Sequence, residues 1–206
     1  TEIIPAISVN TTDFKNYIHE NKKNKKTKIF DIYWAGNFVY WKGIDLVVDS
    51  FIRFSKDKPD VKLNLYGDGE ELKRIKKKCI GNIKIQFKGR LNQNELFKAI
   101  VKNDLFFYPS FEGGGLITLE SMALGLPILC LNFGGAGEMV KNEFNGFSVK
   151  YTNYNNVVNQ FVNKLNLYYN NRNLLEKHGN NSILRLSSTF DNKSKINRIK
   201  KIYETI

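Results

Sequence analysis

Two cysteines, two histidines and four prolines in 206 residues exclude several chemistries before any motif is read. Cys79 and Cys130 stand far apart in no metal-ligand spacing, so neither a disulfide framework nor a zinc site is expected. Both read as reduced structural thiols in a cytosolic setting. His19 and His178 lie outside every glycine-rich stretch, and no Ser/His/Asp set can be assembled around them. Both are expected at the surface. There is no Asp-x-Asp pair to hold a divalent cation, and the G-x-x-x-x-G-K-S/T phosphate loop is absent. No apolar run approaches the ~20 residues of a membrane-spanning helix. The opening TEIIPAISVN lacks the charged start and apolar stretch of a secretory leader.

Acids are in short supply as well: 20 Asp and Glu face 32 Lys and Arg, a formal net charge of +12. That surplus favours anionic partners, whether nucleic acid, an acidic lipid surface or a phosphorylated small molecule, and composition does not choose among them. A nucleic-acid-binding module would be expected to add an aromatic and basic stacking strip, and none appears, so that reading is the weaker one. With 42% hydrophobic and 13% aromatic residues, the chain has what a soluble globular core requires. Its length suits one domain over 1–206, with a leading helix and a basic loop over 1–28.

Helical spacing begins at Thr12 and runs to about Asn21, followed by NKKNKKTK (21–28), too charged to bury. From there apolar runs alternate with amphipathic stretches. IFDIYWAGN reads as a strand and GIDLVVDSFIRFSKD as a helix; DVKLNLYGDG is a strand with a glycine turn and EELKRIKKKC a helix. IKIQFKG is a strand, NQNELFKAIVKN a helix with an Asn cap, DLFFYPS a strand, and GLITLESMALG a helix closed by Gly125. LPILCLNF, GGAGEMVKN and GFSVK add strand, helix start and strand. The chain is helical from Asn153, and two further helical stretches are expected beyond Gly179. Such alternation predicts an α/β fold: a Rossmann-like, doubly wound parallel sheet with helices on both faces and helices at the C-terminal end.

Ligands of such sheets bind at the carboxyl ends of the strands. Four loops fall there: Gly36 to Gly43, Gly67 to Gly69, Pro109 to Gly115, and Phe133 to Gly137. In the third, glycines let backbone approach a ligand, and the helix behind them offers unpaired N–H groups that suit phosphate. The fourth is built alike, so both are expected to face one crevice. Glu112 and Glu120, with seven residues between them and the turn lying inside that span, are placed to face that crevice too, where a carboxylate accepts two hydrogen bonds from a vicinal diol. Lys42, at the first helix start, would set a cation against phosphate. GDGEEL has Leu72 where a dinucleotide fingerprint needs its third glycine, and reads as a turn.

SFEGGGLITLESMALGLPIL, with its E-x7-E spacing, resembles the donor-binding C-terminal domain of the GT-B fold retaining glycosyltransferases of family 4, or group 1. GNFVYWKGID, YGDGEEL, FKGRL and NFGGAGEMVKNEFNGFSV match further blocks of that family in order. The resemblance implies transfer of a sugar from a nucleotide sugar, most simply a UDP-sugar, to an acceptor such as a glycan or lipid-linked saccharide, with no cofactor and no metal. It makes Glu112 the catalytic carboxylate at the donor sugar and Glu120 the ribose-binding one. Lys42 contacts the diphosphate. Gly36 and Asn37, with the backbone of Gly113, Gly114, Gly115, Leu116 and Ile117, supports sugar and phosphates, and Arg90 lies at the base. Asn37 stands where the family often has Arg, and Gly114 where it has Phe. The resemblance also implies a separate N-terminal acceptor domain, absent here, without which the chain would bind donor weakly and transfer nothing. The reduced thiols point to a cytoplasmic setting, and the basic balance would suit work at the anionic cytoplasmic face of a membrane. A sugar-nucleotide epimerase of related fold is the nearest enzymatic alternative, and the acid/base residues it would need are not found.

Overall fold

FDIYWA, VKLNLY, LFFY and ILCL bury almost every side chain, the pattern of strands covered on both faces. The computed structural model describes residues 5–22 and 29–204. Its strands are β1 (Phe30–Ala35), β2 (Val61–Tyr66), β3 (Ile85–Gly89), β4 (Leu105–Tyr108), β5 (Ile128–Leu131) and β6 (Gly146–Val149). They form one sheet in the order β3-β2-β1-β4-β5-β6, every pair parallel. The helices are α1 (Lys15–Lys22), α2 (Ile44–Ser55), α3 (Leu72–Lys78), α4 (Gln93–Ile100), α5 (Leu116–Ala123), α6 (Gly134–Met139), α7 (Tyr154–Asn170), α8 (Arg172–Arg185) and α9 (Asn192–Glu204).

Helices cover both faces. On one, Phe30 of β1 meets Phe54 of α2 and Tyr169 of α7. On the other, Tyr33 of the same strand reaches Ser121 of α5, with 2.5 Å between the hydroxyls. Ile44, Val47, Val48, Phe51 and Phe54 put the apolar stripe of α2 wholly inside, each such side chain contributing about 1.5–3 kcal/mol of burial. The expected Asn cap of α4 is a full capping box: Asn92 Oδ1 accepts from Glu95 N–H at 2.9 Å, and the Glu95 carboxylate accepts from Asn92 N–H at 3.1 Å. The leading segment packs on that helix through Phe14 and Tyr17 against Phe97. An ion network of Asp45 with Arg74 and Lys78, and of Asp49 with Lys78, joins α2 to α3.

Three expectations change. His178 is buried at 1% exposure, because α8 lays it between Phe147 and Tyr168, whose hydroxyl is 2.8 Å from Nδ1. Burial lowers its pKa. Gly179 is not a helix boundary; it lies within α8, where a Cβ would come 2.3 Å from the Gly125 carbonyl oxygen. Helix α8 therefore runs on into a π-helical stretch at Leu186–Phe190, and α9 follows it. Gly137 and its neighbours at the start of α6 serve a different role from the one expected, described below. The basic run at 23–28 and the side chain of His19 lie outside the described residues. Cys79 and Cys130 are free and buried, and burial pushes the Cys79 thiol up to about 11.

Candidate functional site

The strand order reverses between β1 and β4, so the crevice of the sheet opens where these two strands end. A cleft of about 570 Å³ lies there. The loop after β1 lines it with Gly36, Asn37 and Lys42, β4 and its loop with Tyr108 and Glu112, the start of α5 with Gly114 to Ile117, and α4 with Leu96.

Lys42 and Glu112 meet across the cleft at 2.5 Å. The Tyr108 hydroxyl closes a triangle with them, accepting from Lys42 Nζ at 2.8 Å and donating to Glu112 Oε2 at 3.1 Å. Burial works to lower the Lys42 pKa, but hydrogen bonds to Glu112 and Tyr108 outweigh it and hold the amine above its usual value. Burial raises the Tyr108 phenol in spite of the lysine beside it. Both shifts favour a charged amine on Lys42 and a neutral hydroxyl on Tyr108. Glu112 is further set by its own N–H, which donates to Ser110 Oγ at 3.3 Å.

Backbone contacts bring the two loops this close. Phe111 N–H donates to the Trp41 carbonyl at 2.8 Å. Gly43 ends the short turn that carries Lys42 with φ +68°, and a Cβ there would fall 2.0 Å from the Pro109 carbonyl oxygen. Only glycine permits that conformation and that approach together. The fourth glycine loop supports the third from behind and does not line the cleft. Gly134 has φ +55°, a Cβ on it would sit 1.9 Å from the Glu112 carbonyl oxygen, and Gly135 N–H donates to that same oxygen at 3.2 Å. Two glycine-rich helix starts thus stack, and one faces the cleft. Gly113 and Gly114 have open space around them, and at the start of α5 the Thr118 N–H donates to the Gly115 carbonyl at 2.7 Å, which leaves the N–H groups of Leu116 and Ile117 without an intrahelical acceptor.

Of the residues singled out from sequence, Gly36, Asn37, Lys42, Glu112, Gly114, Gly115, Leu116 and Ile117 line one cleft. Gly113 is exposed beside it. Glu120 does not line it. It is 8% exposed on α5, and its Oε1 accepts from Gln93 Nε2, in the first turn of α4, at 3.0 Å. Burial raises its pKa and the Gln93 bond opposes the rise. Arg90 is exposed in the loop between β3 and α4 and is not one of the lining residues. Sequence reasoning missed Tyr108, Gln93 and Leu96. A tyrosine closing an otherwise apolar strand, four residues before Glu112, was the available signal for the first. Gln93 follows the Asn92 cap directly, which fixes its place but not its partner. Among the described residues, no group of three or more His, Cys, Asp or Glu is arranged to hold a metal, and no helix is long and apolar enough to cross a membrane.

A family model described as "Glycosyl transferases group 1" matches residues 14–185. An uncharacterised glycosyltransferase of Methanocaldococcus jannaschii is 30% identical over 198 residues, which are 92% of this chain and 49% of that protein. The chain spans about half the length of curated relatives such as this one. The pneumococcal O-GlcNAc transferase GtfA, solved with UDP and GlcNAc, superposes with a TM-score of 0.79 at 22% identity, over 99% of this chain and 39% of that one. The C-terminal domain of a glycosyl transferase group 1 family protein from Francisella tularensis, solved as a separate piece, gives 0.73 at 21% identity, over 89% of this chain and 99% of that one. These likenesses are of the α/β fold.

Proposed function

The chain belongs to the group 1 glycosyl transferases, and from that premise we propose that its cleft binds the donor, a nucleotide sugar. The observation that carries the proposal is the meeting of a cation, a carboxylate and a glycine-opened helix start at the point where β1 and β4 diverge. Lys42 and the leading N–H groups of α5 take the diphosphate, and Asn37 adds a neutral polar contact. Glu112 takes hydroxyls of the sugar. Glu120, with Gln93 fixing one of its oxygens, takes the ribose diol at the α5–α4 side, and the loop carrying Arg90 borders the base. UDP is the nucleotide proposed, in keeping with the UDP in the pneumococcal neighbour.

In this reading the sugar passes to a glycan or lipid-linked saccharide with retention of anomeric configuration. Charge on the departing diphosphate is met by Lys42 and the helix start, without a metal. The acceptor is held by a second, N-terminal domain. The buried free thiols suit a reducing compartment, and the basic balance suits work beside an anionic membrane face. Thermal melting of the chain with UDP, GDP and ADP and their sugars tests the donor assignment. UDP and a UDP-sugar should raise Tm, and Glu120→Ala should remove most of that rise. A panel in which no nucleotide shifts Tm overturns it.

A further inference from the structure

Lys42 is the one cation lining the cleft among the described residues, and Glu112 the one anion. They are spent on each other, at 2.5 Å, with side chains 16% and 28% exposed. We propose that Glu112 competes with the incoming diphosphate for Lys42, so that the cleft favours a sugar-bearing nucleotide and disfavours the bare one left after transfer. This rests on the donor reading above and adds a release device to it.

Glu112 and Tyr108 occupy two of the three Lys42 N–H donors, so a diphosphate that takes more than one of them displaces a present partner, and where it displaces Glu112 the carboxylate keeps the Tyr108 hydroxyl at 3.1 Å as its side-chain partner. A half-buried carboxylate short of hydrogen bonds is costly. A donor sugar restores them with its own hydroxyls, so sugar and diphosphate bind more strongly together than apart. Once the sugar has left, Lys42 is the one charged partner that can restore what Glu112 lost, and the ion pair re-forms at the expense of the nucleotide. Tyr108 is the positioning residue of this exchange. Its hydroxyl bonds to both partners at once and keeps each near the other whichever way Lys42 turns.

The consequence runs against ordinary expectation for a binding-site residue. Glu112→Gln should tighten, not weaken, the binding of ligands that carry phosphate and no sugar. Titration calorimetry of the full chain with UDP and with inorganic pyrophosphate, at fixed ionic strength, reads this directly. The expected gain for Glu112→Gln is about fivefold for both probes, about 1 kcal/mol, and Glu112→Ala should show a gain in the same direction. The gain should vanish when Lys42 is replaced by Met in both backgrounds. Plain through-space repulsion by the carboxylate would leave it intact, so a gain that survives Lys42→Met overturns the proposal. If the wild-type chain binds UDP and neither Glu112 variant binds it more tightly, the competition is wrong and the donor reading stands. If no form binds UDP but pyrophosphate follows the stated pattern, the competition stands and the donor reading falls. Failure of both probes on every form overturns both.

Discussion

Gln93 Nε2 donates to Glu120 Oε1 across 3.0 Å, tying the first turn of α4 to the buried side of α5. That bond is the one side-chain partner shown for a carboxylate that burial otherwise pushes toward its neutral form. With the folded pKa raised above the unfolded one, the protonated form is favoured in the native state. Stability is therefore highest below the unfolded value and declines as pH rises through the folded one.

Glu120→Gln should accordingly melt at a higher temperature than the wild type at pH 7, with the difference shrinking as pH falls toward 4. The same variant should bind UDP more weakly, since it exchanges a two-oxygen acceptor for an amide. Melting curves across pH, with and without UDP, check both halves, and a lower Tm at neutral pH would contradict the first.

Tyr108→Phe removes one hydroxyl that bonds to two charged groups. Affinity for UDP should fall about three- to fivefold, in line with the loss of about 1 kcal/mol per hydrogen bond. The fold should persist, because the ring stays stacked on Phe106. Calorimetry beside a circular-dichroism melt separates the two effects.

Gly134→Ala should destabilise the chain by about 2 kcal/mol or more, because a left-handed backbone and a clash with the Glu112 carbonyl coincide there. It should also displace the loop that carries Glu112 and abolish nucleotide-induced stabilisation. Gly114→Ala, with open space around it, should leave Tm within about 0.5 kcal/mol equivalent. Urea denaturation of the two variants side by side is the measurement.

Asp45 is held below the usual carboxylate range by Arg74, with Lys78 adding to the effect and burial opposing it. Its contribution is present above the unfolded pKa and is lost as pH falls through the depressed folded value. Asp45→Asn should cost about 0.5–1 kcal/mol at neutral pH and low salt, and less in 1 M salt, where exposed pairs are screened. The mutational difference should fade in acid.

A nucleotide site that needs no metal should bind UDP equally well with EDTA or with added magnesium. Titrations in the two buffers should agree within error, and a strong magnesium dependence would remove that part of the proposal.

The alternation of apolar runs and amphipathic stretches was enough to read the strands, most helices and the doubly wound class, because period and capping residues are local properties. The Asn92 cap is one case and Gly125 another. What local pattern could not show was proximity. Glu112 and Glu120 have seven residues between them and look equivalent on paper, yet the loop before α5 leaves the first in the cleft while α5 turns the second toward Gln93 of a different helix. The Gly134 loop reads like a second ligand loop, and becomes a support only because the Glu112 carbonyl lies against it. His178 and Gly179 were misread for the same reason: the helix face that buries them depends on partners at Phe147, Tyr168 and Gly125, distant in sequence.

Strand order carries one more consequence, for the time course of folding. β1 pairs with β4, matching Ile32 to Leu105 and Tyr33 to Phe106, so the cleft is a seam between an earlier and a later part of the chain. Emerging from a ribosome, the first three strands and their helices can collapse together, but no cleft exists until β4 arrives beside β1. Long-range parallel pairings of this kind close late, after the loop entropy between them has been overcome. Lys42 therefore has no Glu112 to pair with until the chain has grown by another 70 residues. Its charge is neutralised in the same event that creates the binding site.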